Sequence, residues 1–109
     1  MFPSLESRKR AEAARRGGAA DILADRLSAF AKAHGGRYIL FGSLAHGEAR
    51  YDSDVDLLID FPADQQAAAW RAAEDLCSEL RIELDIKPLA WCDPAFVARI
   101  MPEARVIGA

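Results

Sequence analysis

The sequence predicts a small α/β (α+β) domain in which a mixed β-sheet is flanked by helices, and three features carry that expectation. Apolar residues recur at helical spacing through residues 19–33 and 64–80. Three short runs, "RYILF", "DVDLLIDF" and "RIELDIKPL", are rich in branched apolar and aromatic residues and read as strands. Glycine or proline stands at most junctions, at Gly35-Gly36, Gly42, Pro62 and Pro94. A chain of 109 residues, 51% hydrophobic and 28% charged, is the right size for one such domain with a packed core.

Taken in order, "SLESRKRAEAARR" opens as a charged helical stretch expected to stop at Gly17-Gly18. Residues 1–18 would then be a charged N-terminal helical segment and residues 19–109 the main domain. The next helix places Ile22, Leu23, Leu27 and Phe30 on one apolar stripe and ends at Gly35-Gly36, where glycine tolerates left-handed backbone. Tyr38, Ile39, Leu40 and Phe41 favour extended packing in the first strand, which breaks at Gly42-Ser43. The second strand runs through "DVDLLIDF" until Pro62 stops it. A helix over residues 64–80 then buries Trp70, Ala73, Leu76, Cys77 and Leu80. In the third strand Ile82, Leu84 and Ile86 face one side, and Glu83, Asp85 and Lys87 the other. Asp93 followed by Pro94 is a cap and first-turn pair for a short last helix carrying Phe96, Val97 and Ile100.

Composition narrows the function classes. A formal net charge of -3 argues against direct nucleic-acid binding along the phosphate backbone, although "RKRAEAARR" is a local basic cluster. No apolar run approaches the ~20 residues needed to cross a membrane. Nor is the Arg-rich start followed by the apolar stretch of a secretory signal. Cys77 and Cys92 have neither metal spacing nor a dense disulfide framework, so both are expected as reduced thiols of a cytoplasmic protein.

The chemistry concentrates in "FGSLAHGEARYDSDVDLLIDF". Period-two geometry puts Asp54 and Asp56 on one strand face and Val55, Leu57 and Ile59 on the other. Carboxylates at neighbouring same-face positions repel each other, and a divalent cation relieves that repulsion. Asp85 converges with them if the third strand lies beside the second. Such a cluster holding magnesium suits phosphoryl or nucleotidyl transfer. A calcium loop would share the spacing of Asp52, Asp54 and Asp56. It fails because Leu57 stands where its turn glycine belongs and Ala63 where its bidentate glutamate belongs. Asp52 is therefore read as shaping the approach to the strand. Upstream, Gly42-Ser43 follows an apolar strand, and Gly47 comes four residues after the serine. Glycine there lets a phosphate approach backbone N–H groups, and the Ser43 hydroxyl adds a donor. The GxxxxGK[ST] pattern of the common ATPase loop is absent.

"GSLAHGEARYDSDVDLLIDF", joined to Asp85 in "IELDIK", resembles the nucleotidyltransferase superfamily related to DNA polymerase beta: a Gly-Ser pair, ten residues, then "DVD". Within it the chain is most similar to the minimal nucleotidyltransferases that serve as antitoxins beside HEPN-domain RNase toxins. The resemblance implies the polymerase beta-like fold, with Gly42 and Ser43 holding a nucleoside triphosphate. It implies Asp54 and Asp56 as ligands of magnesium, two ions in all. Asp85 would be the third metal ligand, orienting or activating the acceptor hydroxyl. ATP as substrate, and AMP transfer to a tyrosine of a HEPN partner, follow from the same resemblance.

The family often has arginine where this chain has His46, in a "GSxARG"-like loop. His46 is thus expected to make a weaker and more pH-sensitive phosphate contact, in the same nucleotide-binding loop as Gly47. Ser53 is counted with the nucleotide-binding residues of this loop and is expected to cap or orient the turn before Asp54, with Arg50 a further basic group nearby. Two other readings stay open: a non-catalytic subunit that masks its partner, and nucleotidylation of a small molecule.

Overall fold

Period-two alternation divides the side chains of each strand between two faces, and the longer helices cover the more apolar one. The computed structural model describes residues 4–108; the outer ends of the two expected segments, residues 1–3 and residue 109, lie outside the described residues. In chain order the elements are α1 (Leu5–His34), β1 (Arg37–Phe41), β2 (Val55–Asp60), α2 (Gln66–Glu79), β3 (Leu84–Pro88), α3 (Pro94–Ile100) and β4 (Arg105–Ile107). The strands form one sheet in the order β3-β2-β1-β4. β2 and β3 run parallel, joined through α2, while β1 is antiparallel to both β2 and β4. The expected mixed sheet with flanking helices is the architecture observed.

The core lies on one face. Tyr38, Leu40, Val55, Leu57, Ile59 and Ile107 pack there with Leu23, Leu27 and Ala31 of α1 and Ala69, Ala73, Leu76 and Cys77 of α2. Tyr38 carries its hydroxyl into this layer and donates it to the Ala69 carbonyl at 2.7 Å, which satisfies a polar atom that would otherwise be buried unpaired. On the opposite face Ile39 and Leu58 are fully buried. α3 reaches this second face, setting Phe96 edge-on to Phe41 with ring centroids 5.6 Å apart.

Helix α1 corrects the expected break at Gly17-Gly18, because it is continuous over 30 residues. Two glycines inside a helix cost about 1 kcal/mol each relative to alanine. Tertiary ties just before them offset that cost: Arg15 donates to the Leu80 and Arg81 carbonyls at 3.0 Å, and Arg16 to the Ser53 carbonyl at 2.7 Å. The true stop is Gly35, whose φ of 73° lets the chain turn away. The apolar stripe is also rotated from the expected one. Ile22 is 47% exposed, and the buried row is Leu23, Leu27 and Ala31 with Ala20 and Ala24. Alanines on that row let the helix axis approach the sheet closely.

Three boundaries differ as well. The helix expected over residues 64–80 divides into a 3-10 turn, Ala63–Gln65, and α2. The second and third strands start later than expected, at Val55 and Leu84. β4 was not expected at all; three residues are too short to show a period, and it exists because β1 has a free edge to pair with. Among the described residues no helix is long and apolar enough to cross a membrane. Cys77 is buried, Cys92 half-buried, and both are free thiols.

Candidate active site

One row near the end of the sheet crosses three strands. Phe41 of β1 pairs with Asp56 of β2, which in turn pairs with Asp85 of β3. Residues in one row share a face, so Asp56 and Asp85 stand side by side on the face opposite the helix-covered core. Asp56 is half-buried and Asp85 exposed. Burial, then the charges of Asp85 and Asp54, push the Asp56 carboxyl up to about 6, with Lys87 opposing the shift. Without a cation, Asp56 therefore resists ionising.

Asp54 lies one residue before β2 rather than within it. Its side chain is 55% exposed, with Oδ1 3.7 Å from Nη1 of Arg16. Among the described residues, no three carboxylate, imidazole or thiol groups are already gathered about one point, so the expected three-ligand cluster is not preformed. What is preformed is the Asp56–Asp85 pair, a hard-oxygen donor set carrying unrelieved like charge. That chemistry fits magnesium, which takes one or two carboxylates and completes its shell with water and substrate phosphate. The exposed Asp54 side chain can join by turning away from Arg16.

The shelf beside this row is built by Gly42 and Ser43. Gly42 has φ 78°, and a Cβ there would lie 2.5 Å from Oδ2 of Asp56. Only glycine satisfies both conditions, so the loop and the carboxylate can come close. The loop is tied internally: the Ala45 N–H donates to the Gly42 carbonyl at 3.1 Å and the Glu48 N–H to the Ser43 carbonyl at 3.0 Å. The N–H groups of Ser43 and Leu44 donate no backbone hydrogen bond among the described residues. These are the donors a phosphate would meet.

Ser53 closes the loop from its far end. It is 4% exposed; its Oγ accepts from the Arg50 N–H at 2.8 Å and lies 2.7 Å from Oγ of Ser43. With Ser53 as donor in that last bond, Ser43 keeps its own hydroxyl proton for a ligand. Ser53 itself is enclosed, so it orients the turn and Ser43 rather than facing the nucleotide.

His46 is exposed and lies between two glutamates, Nδ1 3.7 Å from Glu48 and Nε2 3.7 Å from Glu103. It lines a hollow of about 220 Å³ with Phe41, Gly42, Arg99, Ile100 and Glu103. Gly47 sits in an exposed turn at φ 77°, and Asp52 is 3.9 Å from Arg50, outside the carboxylate row. Three basic side chains near the site escaped sequence reasoning. Lys87 shares the strand and face of Asp85, a signal visible in the alternation. Lys87 and Arg99 both approach the Phe96 ring, at 5.3 and 5.4 Å. Arg16 arrives from α1, and no local pattern could have placed it there.

Comparison with known proteins is consistent with this geometry. A family model described as "Nucleotidyltransferase domain" matches residues 20–106. A search of curated proteins finds no match. A solved structure described as "putative minimal nucleotidyltransferase" is similar at 29% identity and a TM-score of 0.60, covering 75% of this chain and 86% of that one. The match spans the Gly42-Ser43 shelf and both carboxylate strands, and from it we conclude that the chain belongs to the nucleotidyltransferase domain family.

Proposed function

We propose that the protein transfers AMP from magnesium-bound ATP to a hydroxyl of a second protein, a tyrosine of a HEPN-domain RNase toxin, breaking the bond between the α- and β-phosphates and releasing pyrophosphate, and so acts as that toxin's antitoxin. The observation that carries the transfer chemistry is the Asp56–Asp85 row beside the Gly42-Ser43 shelf. Asp56, Asp85 and Asp54 would hold the metal, which when bound supplies positive charge where negative charge develops on the transferred phosphoryl group. The chain does the rest. Ser43 and the free loop N–H groups steady the phosphate tail, and the Asp85 carboxylate at the exposed end of the row accepts the proton of the incoming hydroxyl.

A protein acceptor is favoured by the shape of that face. The hollow beside the shelf is small, about 220 Å³, and the larger one near Asp54, about 500 Å³, is an open surface lined by Arg16, Tyr51, Asp52, Asp54 and Glu83. Neither encloses a small-molecule acceptor, so a partner's surface is the economical source of the missing wall. The masking alternative has one observation in its favour, the absence of a preformed three-ligand cluster among the described residues.

Labelled ATP, magnesium and a co-expressed HEPN-domain protein separate the two readings. Label should move to the partner, require magnesium, and vanish in Asp54→Asn/Asp56→Asn. A tight complex that forms with no label transferred would replace catalysis by masking.

A further inference from the structure

The amino-terminal half of α1 precedes the residues that the family matches, yet it reaches the site. Arg16 is the contact. Its side chain is only 13% exposed, and Nη1 donates to the Ser53 carbonyl at 2.7 Å and to Glu83 at 3.0 Å. Nε is held by Glu12, one helical turn earlier, at 3.0 Å. The guanidinium is therefore pinned on both sides by carboxylates and points into the turn between loop and β2. That turn matters for geometry. Ser53 bonds the Arg50 N–H and the Ser43 hydroxyl through one oxygen, and Asp54 is the next residue. Whatever fixes the Ser53 carbonyl fixes the relative aim of Ser43 and Asp54.

We propose that Arg16 is a positioning residue of the transfer site: through the Ser53 carbonyl it holds the turn that aims Ser43 at the phosphate tail and Asp54 at the metal. The proposal rests on the nucleotidyl-transfer reading for its catalytic consequence, but the latch itself is a property of the protein alone. At 3.7 Å the Arg16–Asp54 contact is longer than a hydrogen bond, so Asp54 stays available to a cation while its backbone is held. Arg15 supplies an internal control. It is the neighbouring residue, shares Glu12, and donates to the carbonyls of Leu80 and Arg81, away from the motif loop.

The test compares Arg16→Met, Arg16→Lys and Arg15→Met by amide hydrogen exchange on the metal-free protein and by the transfer assay above. In Arg16→Met the Arg50 and Ser53 amides should exchange about tenfold faster, while the Tyr38 and Leu40 amides of β1 keep their protection. In the same variant kcat should fall about 10- to 100-fold with KM for ATP within about threefold, because alignment is lost rather than binding. Arg16→Lys, which keeps one donor for the Ser53 carbonyl, should recover part of both. Arg15→Met should speed exchange near Arg81 and Ile82 and leave Arg50 and Ser53 alone. Unchanged Arg50 and Ser53 amides in Arg16→Met would overturn the proposal. So would a loss shared equally with β1, since Arg16 would then support the whole fold, or a change confined to KM. If the exchange pattern appears but the wild-type protein transfers nothing, the latch stands and the transfer reading fails.

Discussion

On one face of the sheet Tyr38, Leu40, Val55, Leu57 and Ile59 are each at most 1% exposed beneath α1 and α2; on the other, Asp56 is half-buried and its register partner Asp85 lies open to solvent. The same strands build both faces, and one step along β2, from Leu57 to Asp56, passes from core to site. The first face gains from excluding water, at about 25 cal/mol per Å² of apolar surface. The second keeps like charges together at a cost in stability, which a bound cation would relieve. Substitutions on the two faces should therefore move stability and activity in different ways.

The largest effect is expected at Asp56. Asp56→Asn should lower transfer about a thousandfold, the upper range for losing an electrostatic stabiliser of the transition state. In metal-free buffer at pH 7 it should nonetheless raise Tm. The folded carboxyl is raised from 3.8 to about 6, so its contribution is most favourable below pH 4 and is lost as pH climbs through about 6. Discounted for its partial exposure, the gain at pH 7 is about 1 kcal/mol, or roughly 4–8 °C for a domain of this size. Melts of both proteins from pH 4 to 8 check this; a gap that narrows with rising pH contradicts it.

Leu57→Ala, one residue away, should behave in the opposite manner. Loss of a fully buried leucine costs about 2–5 kcal/mol, read by denaturant unfolding. Activity per folded molecule should stay within about twofold of wild type. If it collapsed with stability intact, the two faces would not be separable.

Gly42→Ala touches both faces' logic at once. A side chain at φ 78° is strained, and its Cβ would press on Oδ2 of Asp56, so we expect about 1–3 kcal/mol of destabilisation with a clear loss of transfer. Wild-type activity in that variant would show that the shelf need not lie close to Asp56. The smallest effect is expected at His46, which is exposed and shared between Glu48 and Glu103. His46→Ala should change KM for ATP by less than about threefold, and a larger rise would make His46 a true phosphate contact.

The motif was legible because its chemistry is local. Gly42-Ser43 and the alternating Asp54 and Asp56 lie within fifteen residues, and strand alternation alone separates Asp56 from the apolar Val55 and Leu57. The adjacency of β3 to β2, on which Asp85 depends, was only a condition in the sequence; pairing meets it. Other features were hidden for identifiable reasons. Gly17-Gly18 reads as a stop because local propensity says so, and long-range bonds from Arg15 and Arg16 override it. β4 carries no pattern of its own.

What the sequence determined by itself is therefore the class of fold and the motif that marks the family, since both rest on periodicity and spacing over short stretches. What only the tertiary structure decided is how the parts meet: Asp56 against Asp85, Ser53 enclosed behind Ser43, and Arg16 brought 37 positions along the chain to the turn it holds. Such meetings depend on packing between distant segments, whose free energies no local window of residues contains.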